Sequence, residues 1–440
     1  MLSGRPSRRY VGILAAFLIT TAIYFYTQSE LAVKQPPQYD PISSTTLPCK
    51  LLPGADDTVV ILKTGSTELQ DKLPIHLETT LRCYPNYLIF SDHAERYQGE
   101  TIIDALKDVD PIFKTAHEDF ALYRQLQGGG RSSLDPSDLS GPESYAQDGT
   151  NGKPTNPGWR LDKWKFLPMI RETLRKHPDK KWYVFVETDT YIFWSTLLSY
   201  LAALDSTRQH YIGAQSEIGD VVFAHGGSGF VISRPALEAA VALYVENKAD
   251  LEAFTASQWA GDCVLGKALL DSGTTLTWAW PMWQGRDIGN LNYSHVDYSK
   301  RLWCYPTVSY HHVAPPAIEG LWHFEQAKIA QLGEGQSMII RHRDIFAAYI
   351  LPQTAEPRTD WDNHAHEDRG RAASADACRS TCERDTSCIQ YTHDRDGNCL
   401  TAEQPSLGEV STGMQSGWMQ ERMQNFYDNA ASCEGDEWIV

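Results

Sequence analysis

Residues 183–191 read Tyr-Val-Phe-Val-Glu-Thr-Asp-Thr-Tyr, an apolar run that ends in two carboxylates two positions apart. The apolar part, 182–186, has the composition of a buried strand, and α/β sheets present metal ligands at the carboxyl ends of their strands. A divalent cation held by Glu187 and Asp189 can neutralise a diphosphate, which predicts a nucleotide-sugar substrate and glycosyl transfer. The spacing alone is weak evidence, because acid-x-acid triplets arise by chance in a chain with 56 acidic residues.

The flanking sequence places this strand in an α/β sheet. Residues 58–63 and 87–90 also predict buried strands, with helical stretches around them, and the strand at 182–186 is expected to be central. Residues 161–176 have apolar positions at helical spacing, with Pro168 expected to kink or split the helix. Residues 128–158 are rich in Gly, Ser, Pro and Asp and predict a long surface loop.

Composition narrows the class of protein. A formal net charge of -17 and the lack of a long basic stretch argue against nucleic-acid binding. A chain of 440 residues with 42% hydrophobic composition has room for one large globular domain and a smaller one.

The N-terminus predicts the compartment. Residues 10–29 carry no charge and are long enough, as a helix, to span a bilayer, and three arginines precede them. We predict a cytosolic tail at 1–9, a transmembrane signal anchor at 10–29, and a proline-rich stem at 30–55 with the remaining chain lumenal, in the Golgi or another secretory-pathway membrane. A cleaved signal peptide is the alternative; the length of the apolar run and the lack of a clear small-x-small cleavage site near Ser29 favour an anchor.

All nine cysteines follow the predicted anchor, in a compartment where disulfides persist. The odd count leaves at least one thiol free or intermolecular. Asn292-Tyr293-Ser294 is a glycosylation sequon, which agrees with a secretory lumen.

A glycine cluster lies between two strand-like segments, Val221–Ala224 and Phe230–Ser233. Residues without side chains let a ligand approach the backbone, although glycine is also the usual turn residue. The residues assigned to donor or acceptor binding are Gly226, Gly227, Ser228, Gly229 and Thr64, the last directly after the strand at 58–63.

Asp262 lies at the start of an apolar helical run, where a carboxylate either caps the helix or projects into a cleft. A glycosyltransferase that inverts the anomeric carbon needs one carboxylate to take the proton from the attacking hydroxyl. Asp262 is therefore the candidate catalytic base.

His311 and His312 follow the strand-like residues 307–309. Imidazole combined with two carboxylates suits manganese better than calcium, which prefers oxygen ligands. The alternative is a pair of hydrogen-bonded histidines at a strand end.

Four segments taken in order, 186–191, 226–233, 261–266 and 309–313, carry a family resemblance. They resemble the successive motifs of glycosyltransferase family 31, and are most similar to its Fringe and core 1 β1,3-galactosyltransferase branch. The resemblance covers roughly residues 56–350 and implies a GT-A nucleotide-sugar fold at 56–355, a mixed central sheet flanked by helices. It also implies a UDP-sugar donor, a glycan or glycoprotein acceptor, inversion, and Mn2+ as cofactor.

The resemblance also implies roles for individual residues. Asp189 would bind the metal directly, Glu187 stands where the family has the first acid of its metal triplet, and His311 matches the metal-binding histidine. His312 is its neighbour, so the assignment between the two histidines stays open. Asp262 matches the proposed base and is preceded by Gly261, where the family usually has an acid.

The C-terminal residues, about 360–440, resemble a PAN/Apple module, in which a helix is stapled to a small sheet. The resemblance rests on the spacing of Cys378, Cys382, Cys388 and Cys399. It implies pairs that link the helix cysteines Cys378 and Cys382 to Cys388 and Cys399, although four cysteines allow three pairings.

Four tryptophans cluster late in the predicted catalytic domain, and indole faces suit sugar rings. Tryptophan is usually buried, so most are expected in the core. They are Trp280, Trp283, Trp303 and Trp322.

Two hypotheses of different classes follow. The first is a membrane-anchored, Mn2+-dependent inverting glycosyltransferase that transfers a sugar, expected to be galactose in β1,3 linkage, from a UDP-sugar. The second is a catalytically inactive glycan-binding or chaperone-like relative that retains the sheet. Release of UDP distinguishes the two.

Overall fold

The structure is a computed structural model that describes residues 47–140, 156–333, 335–430, 432–433 and 438–439. Residues Pro48–Val440 cluster as one compact unit. The predicted tail, transmembrane anchor and most of the stem lie outside the described residues. Within the described residues, no helix combines the length and the apolar character needed to cross a membrane.

A mixed eight-stranded sheet forms the centre of the molecule, in the order β11-β7-β10-β5-β1-β2-β4-β3. Its middle strands are parallel, whereas β10 runs antiparallel to both of its neighbours. The strands of the described residues are β1 (Thr58–Lys63), β2 (Tyr87–Ser91), β3 (Glu95–Tyr97), β4 (Glu100–Asp104), β5 (Trp182–Glu187), β6 (Tyr191–Ile192), β7 (Tyr211–Gly213), β8 (Gln215–Ile218), β9 (Val221–Ala224), β10 (Phe230–Ser233), β11 (Leu276–Trp278), β12 (Val296–Asp297), β13 (Lys300–Arg301), β14 (Ser309–Tyr310), β15 (Arg358–Asp362), β16 (Glu367–Arg371), β17 (Gln390–His393), β18 (Asn398–Ala402) and β19 (Glu409–Trp418).

Helices flank the sheet and bury its core. β1 and β5 are buried along almost their whole length, as their apolar sequences require, and α5, α7 and α9 contribute apolar side chains to the same core. The α-helices of the described residues are α1 (Leu69–Glu78), α2 (Pro111–Ala116), α3 (Ala121–Gly129), α4 (Pro157–Asp162), α5 (Phe166–Lys176), α6 (Trp194–Ala202), α7 (Arg234–Glu246), α8 (Lys248–Ser257), α9 (Gly261–Asp271), α10 (Pro315–Ile329), α11 (His342–Ile345), α12 (Ala375–Arg384) and α13 (Gln420–Asn429).

Most of the predicted elements are confirmed. The strand predicted at 58–63 has the bounds of β1, and the strand at 182–186 is β5, the fourth of the eight strands in the sheet. The predicted helix at 161–176 is split into α4 and α5, although the break falls before Pro168, which lies in the first turn of α5. The predicted loop at 128–158 contains two short helical turns, Arg131–Ser133 and Pro136–Asp138, and its residues 141–155 lie outside the described part.

The C-terminal residues form a separate five-stranded sheet, in the order β15-β19-β17-β18-β16. Helix α12 is joined to this sheet by the disulfide Cys378–Cys399, and a second disulfide links Cys382 to Cys388. Both helix cysteines therefore pair with Cys388 or Cys399, as predicted. The likeness of this sheet to a PAN/Apple module stays a prediction.

Two further disulfides join distant parts of the chain. Cys49 pairs with Cys83. Cys304 pairs with Cys433, and this bond links the C-terminal part of the chain to a segment 129 residues earlier in the sequence. Cys263 is the free cysteine and is buried. The odd cysteine count therefore leaves one thiol in the core.

Candidate active site

Strand register brings the first acid of the triplet next to a lysine. Lys63 and Glu187 are the last residues of β1 and β5, and they are direct register partners in the parallel pair. Their side chains form an ion pair with 3.0 Å between Nζ and the carboxylate oxygen, and Lys63 also pairs with Asp162. Burial raises the pKa of Glu187, and this effect outweighs the opposing attraction of Lys63.

A short antiparallel ladder brings the histidines to Asp189. Tyr310 of β14 pairs with Tyr191 of β6. Because the two strands are antiparallel, the residue that follows β14 lies beside the residues that precede β6. The backbone N–H of Val313 donates to the carbonyl of Asp189 at 2.8 Å. As a result, His311 Nε2 lies 3.3 Å from Asp189 Oδ1, although the two residues are far apart in sequence.

Helix α1 holds the other side of the triplet. Lys72 Nζ lies 3.0 Å from Asp189 Oδ2, and His76, one turn later, has its Nε2 2.9 Å from the carbonyl of Thr188. Burial disfavours the charge on Asp189, but Lys72 and His311 outweigh it and hold the pKa of Asp189 well below its usual range. Asp189 is therefore a carboxylate that α1 keeps ionised and oriented.

The residues around Asp189 fit a divalent metal. Ligand atoms of Asp189, His311 and His312 all lie within 4.8 Å of one another. His311 Nδ1 is buried and has no hydrogen-bond partner among the described residues, while its Nε2 contacts Asp189 Oδ1. One carboxylate and two imidazoles form a donor set that suits a divalent transition-metal ion. Glu187 is outside this cluster of three.

The glycine cluster makes room for this arrangement. A side chain on Gly227 would overlap the imidazole of His311, so only glycine fits there. The carbonyl of Gly227 accepts a hydrogen bond from Thr190 Oγ1 at 2.6 Å. His312 has a positive φ of 56°, a backbone conformation that is uncommon for a residue with a side chain and often marks functional sites.

Asp262 lies in the first turn of α9, but its role exceeds capping. The N-cap position is Ala260, and Asp262 uses Oδ1 to accept from the N–H of Cys263 at 2.9 Å. Its Oδ2 accepts from the N–H of Gly226 at 2.8 Å, which ties the helix to the glycine cluster. Burial raises the pKa of Asp262 to about 6, partly opposed by these two hydrogen bonds and reinforced by Glu187.

Gly261 explains why an acid is missing before Asp262. A Cβ at this position would lie 2.6 Å from Lys163 Cα and would overlap the ring of Phe166. The close packing of α9 on residues 163–166 therefore requires glycine, and an acidic side chain cannot occupy this position in this chain.

One cavity of about 430 Å³ contains the predicted chemistry. Glu187, Asp189, Gly227, Asp262 and His311 all line it. The charged side chains of its lining are Lys63, Lys72, Lys163, Lys165, Glu68, Asp162, Glu187, Asp189, Glu217 and Asp262. With neutral histidines this set has a formal charge of -2.

The other predicted binding residues do not line the cavity. Ser228 is buried, and its Oγ lies 2.8 Å from His225 Nδ1. Gly229 has a φ of 72° and turns the chain into β10, which matches the turn interpretation of the cluster. The carbonyl of buried Thr64 accepts from Lys165 Nζ at 2.8 Å, while Gly226 contributes its N–H to Asp262.

Sequence reasoning missed the lysines. Lys63 and Lys72 contact the two acids of the triplet, and Lys165 lies 3.5 Å from buried Asp92 at the end of β2. The position of Lys63 at the end of an apolar strand was a usable signal, because a charged residue is expensive to bury without a partner. Lys72 gave no comparable signal, since its partner is set by the tertiary fold.

The four tryptophans proposed from the sequence are mostly core residues, as expected. Trp283, Trp303 and Trp322 are buried, and Trp280 is half-buried outside the cavity lining. Asn292 of the predicted glycosylation sequon is exposed, and its side-chain amide donates to Gln404.

Comparison with known proteins supports a glycosyltransferase domain at this site. Residues 165–279 match the family model described as Fringe-like, about a quarter of the chain. The matched segment includes β5 with the acidic triplet, the glycine cluster and Asp262. No curated protein matches the chain.

Proposed function

We propose that this chain is an inverting, Mn2+-dependent glycosyltransferase that transfers a sugar from a UDP-sugar to a glycan or glycoprotein acceptor. The observation that carries the proposal is the convergence of Asp189, His311 and Asp262 on one cavity. The finer assignment, galactose in β1,3 linkage, rests on the family resemblance alone.

The charge of the cavity supports a donor that arrives with a metal. The lining has a formal charge of -2, so a free diphosphate would meet net repulsion despite four lysines. Asp189, His311 and His312 would hold Mn2+, with Glu187 as a further candidate ligand. A bound divalent ion there supplies Lewis-acid stabilisation of the leaving diphosphate.

Asp262 is suited to act as the base. Both of its oxygens accept backbone N–H groups, which orients the carboxylate, and its pKa of about 6 leaves it ionised yet basic near neutral pH. The acceptor hydroxyl gives its proton to Asp262 while its oxygen forms a bond to the anomeric carbon. The bond from that carbon to the β-phosphate oxygen breaks, and UDP leaves with the electron pair, which inverts the anomeric configuration.

The disulfides support a secretory location. Four disulfides join cysteines across the described residues, which is typical of an oxidising compartment. We therefore propose a single-pass type II protein of the Golgi or another secretory-pathway membrane, anchored by residues 10–29.

One observation favours the second candidate, a catalytically inactive glycan-binding or chaperone-like protein. Glu187 and Asp189 are each paired with a lysine at 3.0 Å, so each acid has a cationic partner without a metal. A cation would have to share Asp189 with Lys72. The two candidates differ in whether the site turns over a UDP-sugar.

The test is a donor screen on the purified lumenal part, residues 47–440. UDP release is measured for a panel of UDP-sugars with simple glycoside acceptors, with Mn2+ or with EDTA. We expect one donor to release UDP with Mn2+ and to lose this activity in EDTA. No UDP release with any donor, in a protein that is folded by circular dichroism, would favour the inactive candidate.

A further inference from the structure

One tryptophan differs from all the others. Trp259 is 51% exposed, and it is the exposed member of the 13 tryptophans, all of which the structure describes. It lines the same cavity as Asp262, and the run from Trp259 to Asp262 lines that cavity without interruption. An indole left half in water within a cavity wall is a surface for a ligand.

Trp259 is stacked on a second indole. The ring of Trp159 lies at 6.1 Å between centroids with 17° between the planes, and it also lines the cavity. Trp259 stays about half exposed beside Trp159, and this exposed part is left for a ligand. The two rings come from α4 and from the segment before α9, which are about a hundred residues apart in sequence.

Polar contacts hold the backbone on both sides of the indole pair. Lys163 Nζ donates to the carbonyl of Gln258 at 2.7 Å and is itself held by Asp119 at 2.8 Å. On the other side, the backbone N–H of Trp159 donates to Asn156 Oδ1 at 3.3 Å. The backbone segments that carry the two stacked indoles are thus fixed in the cavity wall.

The position next to the base points to the acceptor. Three residues span at most ~11 Å, so Trp259 and Asp262 are within reach of one small molecule. Ser216 and Glu217 of β8 line the same cavity and offer polar atoms. An aromatic face flanked by hydrogen-bonding groups matches a sugar ring, which has apolar C–H faces and polar hydroxyl edges.

We propose that Trp259, braced by Trp159, is the stacking surface for the pyranose ring of the acceptor and positions its hydroxyl toward Asp262. The inference rests on the proposed function, because only a transferase has an acceptor. It adds a specificity-determining residue to that site. The competing ligand for the same ring is the uracil of the donor.

The first experiment measures binding without turnover. Saturation-transfer NMR with methyl glycosides of galactose, N-acetylgalactosamine and N-acetylglucosamine, in the presence of UDP and MgCl2, is compared for wild type, Trp259→Ala, Trp259→Phe and Leu270→Ala. We expect signals from ring C–H protons in wild type, their loss in Trp259→Ala and their partial retention in Trp259→Phe. Leu270 is an exposed apolar residue of α9 outside the cavity lining, so Leu270→Ala should behave as wild type.

The second experiment separates acceptor from donor. Trp259→Ala should raise the acceptor KM about tenfold, as expected for one lost aromatic stack, while UDP affinity by calorimetry stays unchanged. Equal glycoside signals in wild type and Trp259→Ala would overturn the proposal, as would a loss of UDP affinity with unchanged glycoside binding. If wild type binds the glycosides but transfers no sugar, the proposed function fails and the stacking surface stands.

Discussion

The cavity and the C-terminal sheet both bury polar side chains, but they satisfy them differently. In the C-terminal sheet, Asn363 is fully buried, and its amide donates to the carbonyls of Tyr391 and Gly417. Its oxygen accepts from Thr392 Oγ1 and from the N–H of Ala365. In the cavity, His311 Nδ1 is buried without a hydrogen-bond partner among the described residues, and buried Asp189 Oδ1 makes an ion-pair contact with His311 Nε2 at 3.3 Å.

The difference distinguishes structure from function. A buried amide that uses all four of its hydrogen bonds stabilises a fold and is closed to ligands. A buried atom that lacks a partner costs free energy, so the unpartnered His311 Nδ1 beside Asp189 in a charged cavity indicates a place that an ion or a ligand can complete. Among the described residues from 358 to 430, no buried side-chain polar atom lacks a partner.

The largest expected effect comes from removing the proposed catalytic base from the cavity. Asp262→Asn should lower kcat by about 10³-fold, because general-base catalysis typically contributes 10²–10⁴. The measurement is the initial rate of transfer at saturating donor. Asp271→Asn on the same helix, which changes an exposed acid paired with Lys267, is the matched control and should keep wild-type rates. A variant Asp262→Asn with wild-type kcat would remove Asp262 from the mechanism.

The second prediction concerns the C-terminal sheet. Asn363→Ala should reduce the free energy of unfolding by about 3 kcal/mol, because it leaves several buried partners unsatisfied. Urea denaturation of the variant, next to Gln415→Ala on the exposed side of β19, measures this difference. The kcat of the remaining folded protein should equal that of wild type. A loss of kcat without a loss of stability would contradict the contrast between the two regions.

The third prediction tests the metal ligands directly. His311→Ala should weaken Mn2+ binding at least tenfold, because it removes one of three donors in the cluster. Calorimetric titration with MnCl2 measures the affinity without any substrate. His323→Ala, at a half-buried histidine of α10 outside the cluster, serves as the control and should bind Mn2+ as wild type does. Equal affinities of His311→Ala and wild type would place the ion elsewhere.

The smallest effect is the pH dependence of the rate. Burial raises the pKa of Asp262 to about 6, so the base is ionised above pH 6 and becomes protonated as the pH falls. We expect kcat/KM to fall about tenfold per pH unit below pH 6 and to level off above it. A profile of kcat/KM between pH 4.5 and 8 shows where the acidic limb lies. A limb near pH 4, the ordinary range of an aspartate, would mean that Asp262 is more solvated than the structure has it.

The sequence predicted much of the fold and part of the site. β1, β5 and the split helix at 161–176 follow from local apolar patterns, and the start of α9 at Gly261 places Asp262 where the pattern put it. The assignment of Ser228 and Gly229 to ligand binding had no such support, because a glycine cluster has the same appearance in a turn and in a binding site. These two residues are not among those that line the cavity, so their role in ligand binding stays a prediction.

The amino-acid order alone determined the α/β class, the carboxyl-edge position of Glu187 and Asp189, and which cysteines share a subdomain. The tertiary structure decided that His311 reaches Asp189, that Lys63 and Lys72 pair with the acids of the triplet, and that Trp259 is the exposed indole. Local patterns report how one segment is buried, whereas these contacts depend on strand register and on the β6–β14 ladder. Such pairings join residues more than a hundred positions apart, and no periodicity within either segment encodes its partner.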